Sequence, residues 1–150
     1  RKWGATHPIN LDEVRSHEDR VKQVLELTGG RGAEVVIECS GYPPAFNEGF
    51  DFLIKGGTYL VLGQTSSKTI EFSPYKFLEK QAVVLGSGMA DIRHFYKALQ
   101  FIRAHRDKYP FSELVSNLYP LERLDEALEN MRRGREIKAV IDNRNRTTGN

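Results

Sequence analysis

The sequence predicts an α/β protein built on a parallel sheet, and two observations carry that class. Short runs of β-branched residues alternate with stretches of helical periodicity. Each of the first three runs also ends on small residues, at Cys39-Ser40-Gly41, Gly63-Gln64 and Gly86-Ser87-Gly88. Helices alternating with short buried strands imply βαβ units with right-handed crossovers. In an open α/β sheet ligands bind beyond the carboxyl ends of the strands. Strand ends of little bulk along one sheet edge therefore predict a ligand crevice.

The elements follow in order. Trp3-Gly4-Ala5 reads as a helix terminus with glycine past its end, and ATHPIN as a short extended piece. Ser16 or Asp19 caps a helix over residues 17–28, in which Val21, Val24, Leu25 and Thr28 recur at helical spacing and Gly29-Gly30 is the stop. AEVVIECS lacks alternation, as expected of a strand covered on both faces. Pro43-Pro44 opens a helix with Phe46, Phe50, Leu53 and Ile54 on one face, ended by Gly56-Gly57. TYLVLG is the next buried strand, followed by a polar turn. Ser73-Pro74 then starts a short helix as N-cap and first residue. QAVVLGSG is a third strand. Asp91 opens a longer helix with Ile92, Phe95, Leu99 and Ile102 as its inner stripe. LYPLERLDEALENMRRG places Leu121, Leu124, Leu128 and Met131 on one side of a last helix closed by Gly134, before a strand EIKAVID and a polar tail.

Composition narrows the function classes. With 150 residues and 39% hydrophobic content, the chain suits one soluble globular domain. Lys and Arg total 22 against 20 Asp and Glu, a balance too even for a nucleic-acid-binding face. No apolar run approaches the about 18 to 20 residues of a membrane span. The single cysteine, Cys39, excludes an intrachain disulfide and a Cys-based zinc site, and it fits a reducing compartment, so a cytoplasmic location is expected. The chain opens on Arg1 in what reads as the end of a helix, which suggests a piece of a longer polypeptide.

Several motifs have plain readings. TGGRGAE closes a helix and enters a strand, the reverse of a phosphate loop. GSGMAD does join a strand to a helix, but Asp91 stands where a dinucleotide fingerprint needs a small residue, and an N-cap explains it better. His7, His17, His94 and His105 form no HxxxH pair and suit surface or helix-end roles. Glu38, a carboxylate inside an apolar strand, either faces a polar crevice or pairs with a neighbouring cation, and pairing is the favoured reading. Lys138 is either an edge-strand guard or a phosphate contact. Arg132-Arg133-Gly134-Arg135 complements a helix dipole at its carboxyl end.

In this order and spacing, GATHPIN, LTGGRGAEVVIECSG, LIKGGTYLVLGQ, QAVVLGSG and LVSNLYPLERLDEALENMRRGREIKAVID resemble the second half of a zinc-type alcohol dehydrogenase. That is the medium-chain dehydrogenase/reductase superfamily, and the resemblance runs from Arg1 to Asp142. It implies a partial Rossmann-type, doubly wound parallel sheet with helices on both faces, plus a short return segment to a catalytic domain. Residues 1–103 would be the later part of the dinucleotide-binding domain, 104–142 the linker and return segment, and 143–150 a flexible tail. The first Rossmann strands would lie between the ATHPIN strand and AEVVIEC, and they are absent from the sequence.

The resemblance also implies a site. Ser40 and Gly41 would border the adenosine side of a nicotinamide dinucleotide, NAD or NADP. Leu62, Gly63 and Gln64 would lie beside the nicotinamide, Ser87, Gly88 and Met89 at its carboxamide end, and Lys138 at the pyrophosphate. The parent enzyme would use zinc to oxidise a small alcohol reversibly to a carbonyl. The glycine fingerprint, the acidic residue that separates NAD from NADP, the zinc ligands and the catalytic residues are all missing from this sequence. The isolated chain is therefore expected to be inactive. Two other readings stay open: a fragment of a zinc-free quinone or enone reductase of the same superfamily, and a non-catalytic dimerisation module. The resemblance also implies a homo-oligomer formed through the 81–88 strand.

Overall fold

A computed structural model describes residues 2–64 and 69–144. The polar turn at 65–68 and the tail from 145 onward lie outside the described residues. The chain divides into two compact units, Thr6–Ala90 and Arg1–Ala5 with Asp91–Asn150.

In the first unit, α1 (His17–Leu27) starts where Ser16 is extended and its hydroxyl accepts the Asp19 amide at 3.2 Å, so Ser16 is the cap. β1 (Ala33–Glu38), α2 (Pro43–Phe52) and β2 (Leu53–Val61) follow, then α3 (Tyr75–Lys80) and β3 (Val83–Gly86). The strands form one parallel sheet in the order β1-β2-β3. The fold is thus the mixed, parallel α/β class that the alternation predicts.

Three local expectations need correction. α2 does not reach Gly56-Gly57, because Leu53 pairs with Ala33 of β1 and is only 1% exposed. The register then jumps to Val35 opposite Thr58, and Gly56 absorbs the jump at φ +79°. Residues 5–10 form no strand, since no ladder pairs with them. The first strand is not covered on both faces either. Val36 packs toward the core, whereas Val35 and Ile37 remain 57% and 54% exposed. Their lateral neighbours in register, Val83 and Leu85 of β3, are open as well.

The covered face holds the core. Phe50, Leu53 and Tyr59 are fully buried, with Val36, Phe46, Phe72, Ala82 and Val84 packed around them. Phe50 meets the rings of Phe46, Tyr59, Phe72 and Phe77 at centroid distances of 5.3, 4.9, 5.0 and 5.4 Å, mostly edge to face, the geometry that aromatic quadrupoles favour. Arg20 ties α1 to α2 through Glu48, donating from Nη2 to Oε2 at 3.0 Å.

In the second unit, Asp91 begins α4 (Ile92–His105) with a reciprocal cap. Its carboxylate accepts the amides of Arg93 and His94, and His94 Nδ1 accepts the Asp91 amide at 3.2 Å. That is the helix-end role expected for His94. The stripe Ile92, Phe95, Leu99 and Ile102 is exposed rather than inward. Instead Phe101 stacks on His105 and meets Phe111 edge-on, and Trp3 packs on Tyr109 and Phe111. A short turn of 3₁₀ helix, Phe111–Leu114, leads to β4 (Asn117–Tyr119). After a second such turn, Leu121–Arg123, come α5 (Leu124–Arg132) and β5 (Ala139–Ile141). Asn117-Leu118-Tyr119 is a strand, not the start of a helix, because β5 lies parallel beside it, pairing Leu118 with Val140. No helix among the described residues is long and apolar enough to cross a membrane.

Candidate functional site

The carboxyl ends of the three strands line up. Glu38 of β1 is in register with Val61 of β2, and Val61 with Gly86 of β3. The segments that follow, Ser40-Gly41, Leu62-Gly63-Gln64 and Ser87-Gly88-Met89, therefore leave one sheet edge together. Backbone bonds continue the pairing past the strands. The Leu62 and Gly63 amides both donate to the Glu38 carbonyl at 2.9 Å, and the Ser87 amide donates to the Val61 carbonyl at 2.9 Å.

The small residues at this edge serve two different purposes. Gly41, at φ +66°, lies against the Gln64 backbone, where a side chain would come within 2.9 Å of the Gln64 carbonyl carbon. A side chain at Gly63 would strike the Gly41 backbone, 2.8 Å from its Cα. These two glycines allow the first two strand ends to touch. Gly86 and Gly88 instead border open space: no atom of the described residues lies within 4 Å of where a Cβ would be. Met89 is 98% exposed and at φ +53°, at the outer margin of that space. A cavity of about 220 Å³ also opens beside β1 and α2, bounded by Glu38, Cys39, Ser40, Ala45, Gly49 and Tyr59.

Glu38 is the one buried charged residue among those described, 7% exposed. The favoured sequence reading, a pair with a neighbouring cation, is corrected: its partners are backbone amides and a hydroxyl. Oε1 accepts the Ser40 amide at 2.6 Å, the Gly41 amide at 2.9 Å and the Ser40 hydroxyl. Burial pushes the carboxyl up, but the Ser40 hydroxyl and the two amides outweigh it, and the group lies below the usual glutamate range. Oε2 is buried and accepts no hydrogen bond from the described residues. It is aimed at Gly63, at the point a Cβ there would occupy.

Tyr59, a residue with no sequence signal of its own, lines the same cavity as this carboxylate from β2. Its phenol donates toward the Ala45 and Phe46 carbonyls at 3.3 and 3.1 Å, and its ring occupies the space that a side chain at Gly49 would need. Burial, and then the charge of Glu38, raise its pKa. The signal that could have found the partners of Glu38 is its position two and three residues before Ser40 and Gly41, the spacing at which a carboxylate reaches the amides of a following turn.

Of the residues proposed from sequence, the structure gathers Ser40, Gly41, Leu62, Gly63, Gln64, Ser87, Gly88 and Met89 at one edge. Lys138 belongs to the other unit, one residue before β5. Its carbonyl accepts the Ser116 amide at 3.0 Å, and the Ser116 hydroxyl accepts the Ile137 amide at 2.9 Å. Among the described residues no group of three or more His, Cys, Asp or Glu side chains could hold a metal ion. The residues present therefore do not fit zinc.

The family model described as "Zinc-binding dehydrogenase" matches residues 1–104. The chain is 34% identical over 143 residues to a 5-exo-hydroxycamphor dehydrogenase of Pseudomonas putida, covering 95% of the chain and 39% of that protein. It is 33% identical over 141 residues to a sorbitol dehydrogenase of Halalkalibacterium halodurans, covering 94% and 39%. The crystal structure of an alcohol dehydrogenase zinc-binding domain protein from Burkholderia ambifaria superposes with a TM-score of 0.76 at 31% identity, over 92% of this chain and 36% of that one. The chain thus spans about two fifths of the length of the curated relatives it matches.

Proposed function

Because this chain belongs to the zinc-binding dehydrogenase family, we propose that its three-strand edge is the cofactor side of an NAD(P)-linked alcohol dehydrogenase. The observation that supports this most directly is the alignment of Glu38, Val61 and Gly86, with open space over Gly86 and Gly88. In this reading residues 1–103 are the later part of the dinucleotide-binding domain and 104–142 the return segment. Ser40 and Gly41 border the adenosine side. Leu62, Gly63 and Gln64 meet the nicotinamide side through backbone groups, and Ser87, Gly88 and Met89 its carboxamide end. Lys138 supplies a point charge for the pyrophosphate.

When bound, the nicotinamide accepts hydride from a small alcohol or returns it to a carbonyl. The chain's own part is to bind and orient: glycines at 41 and 63 bring two strand ends together, and those at 86 and 88 leave room. No step is assigned to zinc on these residues, and the chain alone is proposed to turn over no alcohol. Self-association through β3 goes with the same reading, since among the described residues β3 pairs only with β2. So does a cytoplasmic setting, which suits the free thiol of Cys39.

Fluorescence titration of the chain with NADH and then NADPH tests the central claim. Saturable binding is the expected result, and none up to millimolar nucleotide would overturn it. Turnover by the chain on a panel of alcohols with zinc supplied would refute the proposed inactivity.

A further inference from the structure

We propose that Glu38 is the positioning residue of the strand-end crevice, locking the Ser40-Gly41 turn to the Leu62-Gly63 end of β2. The proposal rests on the reading of that edge as a nucleotide site, and it assigns a role to a residue that the reading itself leaves out.

Five hydrogen bonds converge on this one residue. Its carboxylate takes the Ser40 amide, the Ser40 hydroxyl and the Gly41 amide. Its carbonyl takes the amides of Leu62 and Gly63. The residue therefore fixes both of the segments that Gly41 and Gly63 bring into contact. Oε2 completes the arrangement from inside: it lies so close to Gly63 that any side chain there would displace it. No cation among the described residues pairs with the carboxylate, and a buried carboxylate of that kind is costly unless amide donors hold it, as they do here. Removing the carboxylate leaves the Ser40 and Gly41 amides without their acceptor beside a cavity of about 220 Å³, free to turn elsewhere.

The surroundings make the carboxylate itself the titrating element. On β2, two residues before Val61, the register partner of Glu38, stands Tyr59, whose phenol is held protonated by burial and by the Glu38 charge. α2 contributes the uncharged Ala45 and Gly49 to the same cavity, and Cys39 is the adjacent residue on the chain. Glu38 titrates below the ordinary glutamate range. The lock is accordingly complete above that range and is lost as pH falls through the lowered pKa.

The test uses the whole chain and two readouts. Amide hydrogen exchange, expressed as protection at each pH, reads the lock directly; NADH titration reads its consequence. Wild-type protein should protect the Ser40 and Gly41 amides, and that protection should fall in acid. Glu38→Gln keeps an acceptor oxygen, so it should retain part of the protection but show no acid step. Glu38→Ala should lose the protection and weaken NADH binding about 10- to 100-fold, the effect of unpairing the half-buried amides that shape the turn. Unprotected Ser40 and Gly41 amides in the wild type would overturn the lock. Equal NADH affinity in wild type and Glu38→Ala would overturn its positioning role. Protected amides with no NADH binding by the wild type would leave the lock standing and overturn the nucleotide reading beneath it.

Discussion

The two units of this chain use the same kind of sequence to opposite effect. In Thr6–Ala90 the apolar faces of α2 and of the sheet meet, and Phe50, Leu53 and Tyr59 are sealed from water. In the unit from Asp91 onward, α4 has an apolar stripe just as regular, yet none of its residues is buried, and Ile92, Phe95 and Leu99 are 80%, 59% and 66% exposed. Helical spacing specifies which residues share a face. It does not supply the surface that the face needs. Burial of apolar area is the main stabilising contribution in either unit, so stability should be concentrated in the first.

The sharpest way to break this contrast is a matched pair of truncations. Phe50→Ala removes a fully buried ring packed against four others, and it should cost about 3 to 5 kcal/mol in a urea melt. Leu99→Ala, on the open stripe, should change the same midpoint by about 0.5 kcal/mol or less. Similar losses in both would mean that the α4 stripe is covered in solution.

Next in size is Gly63→Ala. The added methyl meets the Gly41 backbone and the Glu38 carboxylate, and overpacking of this kind costs about 1 to 3 kcal/mol. NADH affinity should fall with it. Gly88→Ala, which faces open space, should leave the melting curve unchanged, and a loss of stability there would show that the edge is more crowded than its geometry indicates.

A smaller effect separates the capped helix from the core. Asp91→Ala removes the acceptor for the Arg93 and His94 amides. Circular dichroism should show less helix, while amide exchange in β2 stays as slow as before. Slower or faster exchange at Tyr59 and Leu60 would tie α4 to the stability of the sheet.

The smallest effect is a local titration. Asp142 is pulled down to about 2 by hydrogen bonds from the Arg144 side chain and then its amide. A depressed carboxylate contributes above its ordinary range, and the contribution disappears as pH drops through the lowered value. In Arg144→Ala the Asp142 carboxyl should titrate closer to the ordinary aspartate value by NMR. No change would remove the pair as the cause.

Much of the fold was legible because its signals are local. The Ser16 and Asp91 caps depend on a side chain reaching amides two or three residues away; Asp91 stands where the pattern places it, and Ser16 is one of the two caps the pattern offers for α1. The three small-residue strand ends were legible for a similar reason, since a parallel α/β alternation sends every such end to the same edge. Other features needed the chain folded. α2 stops at Phe52 only because Leu53 finds Ala33, 20 positions earlier, and β4 exists only beside β5. In the candidate site, Ser40, Gly41 and Gly63 were visible as small residues, but their contact with Gln64 and with one another was not.

Glu38 shows the division most clearly. The sequence alone determined that a carboxylate would sit at the inner end of an apolar strand, just before two small residues. Whether it would meet a cation or a set of amides was decided only when β2 closed against β1 and shaped the turn around it. Torsional preferences and periodicity act over a few residues and can be read along the chain. The choice of partner depends on which distant groups are brought within bonding distance, and that is a property of the packed structure.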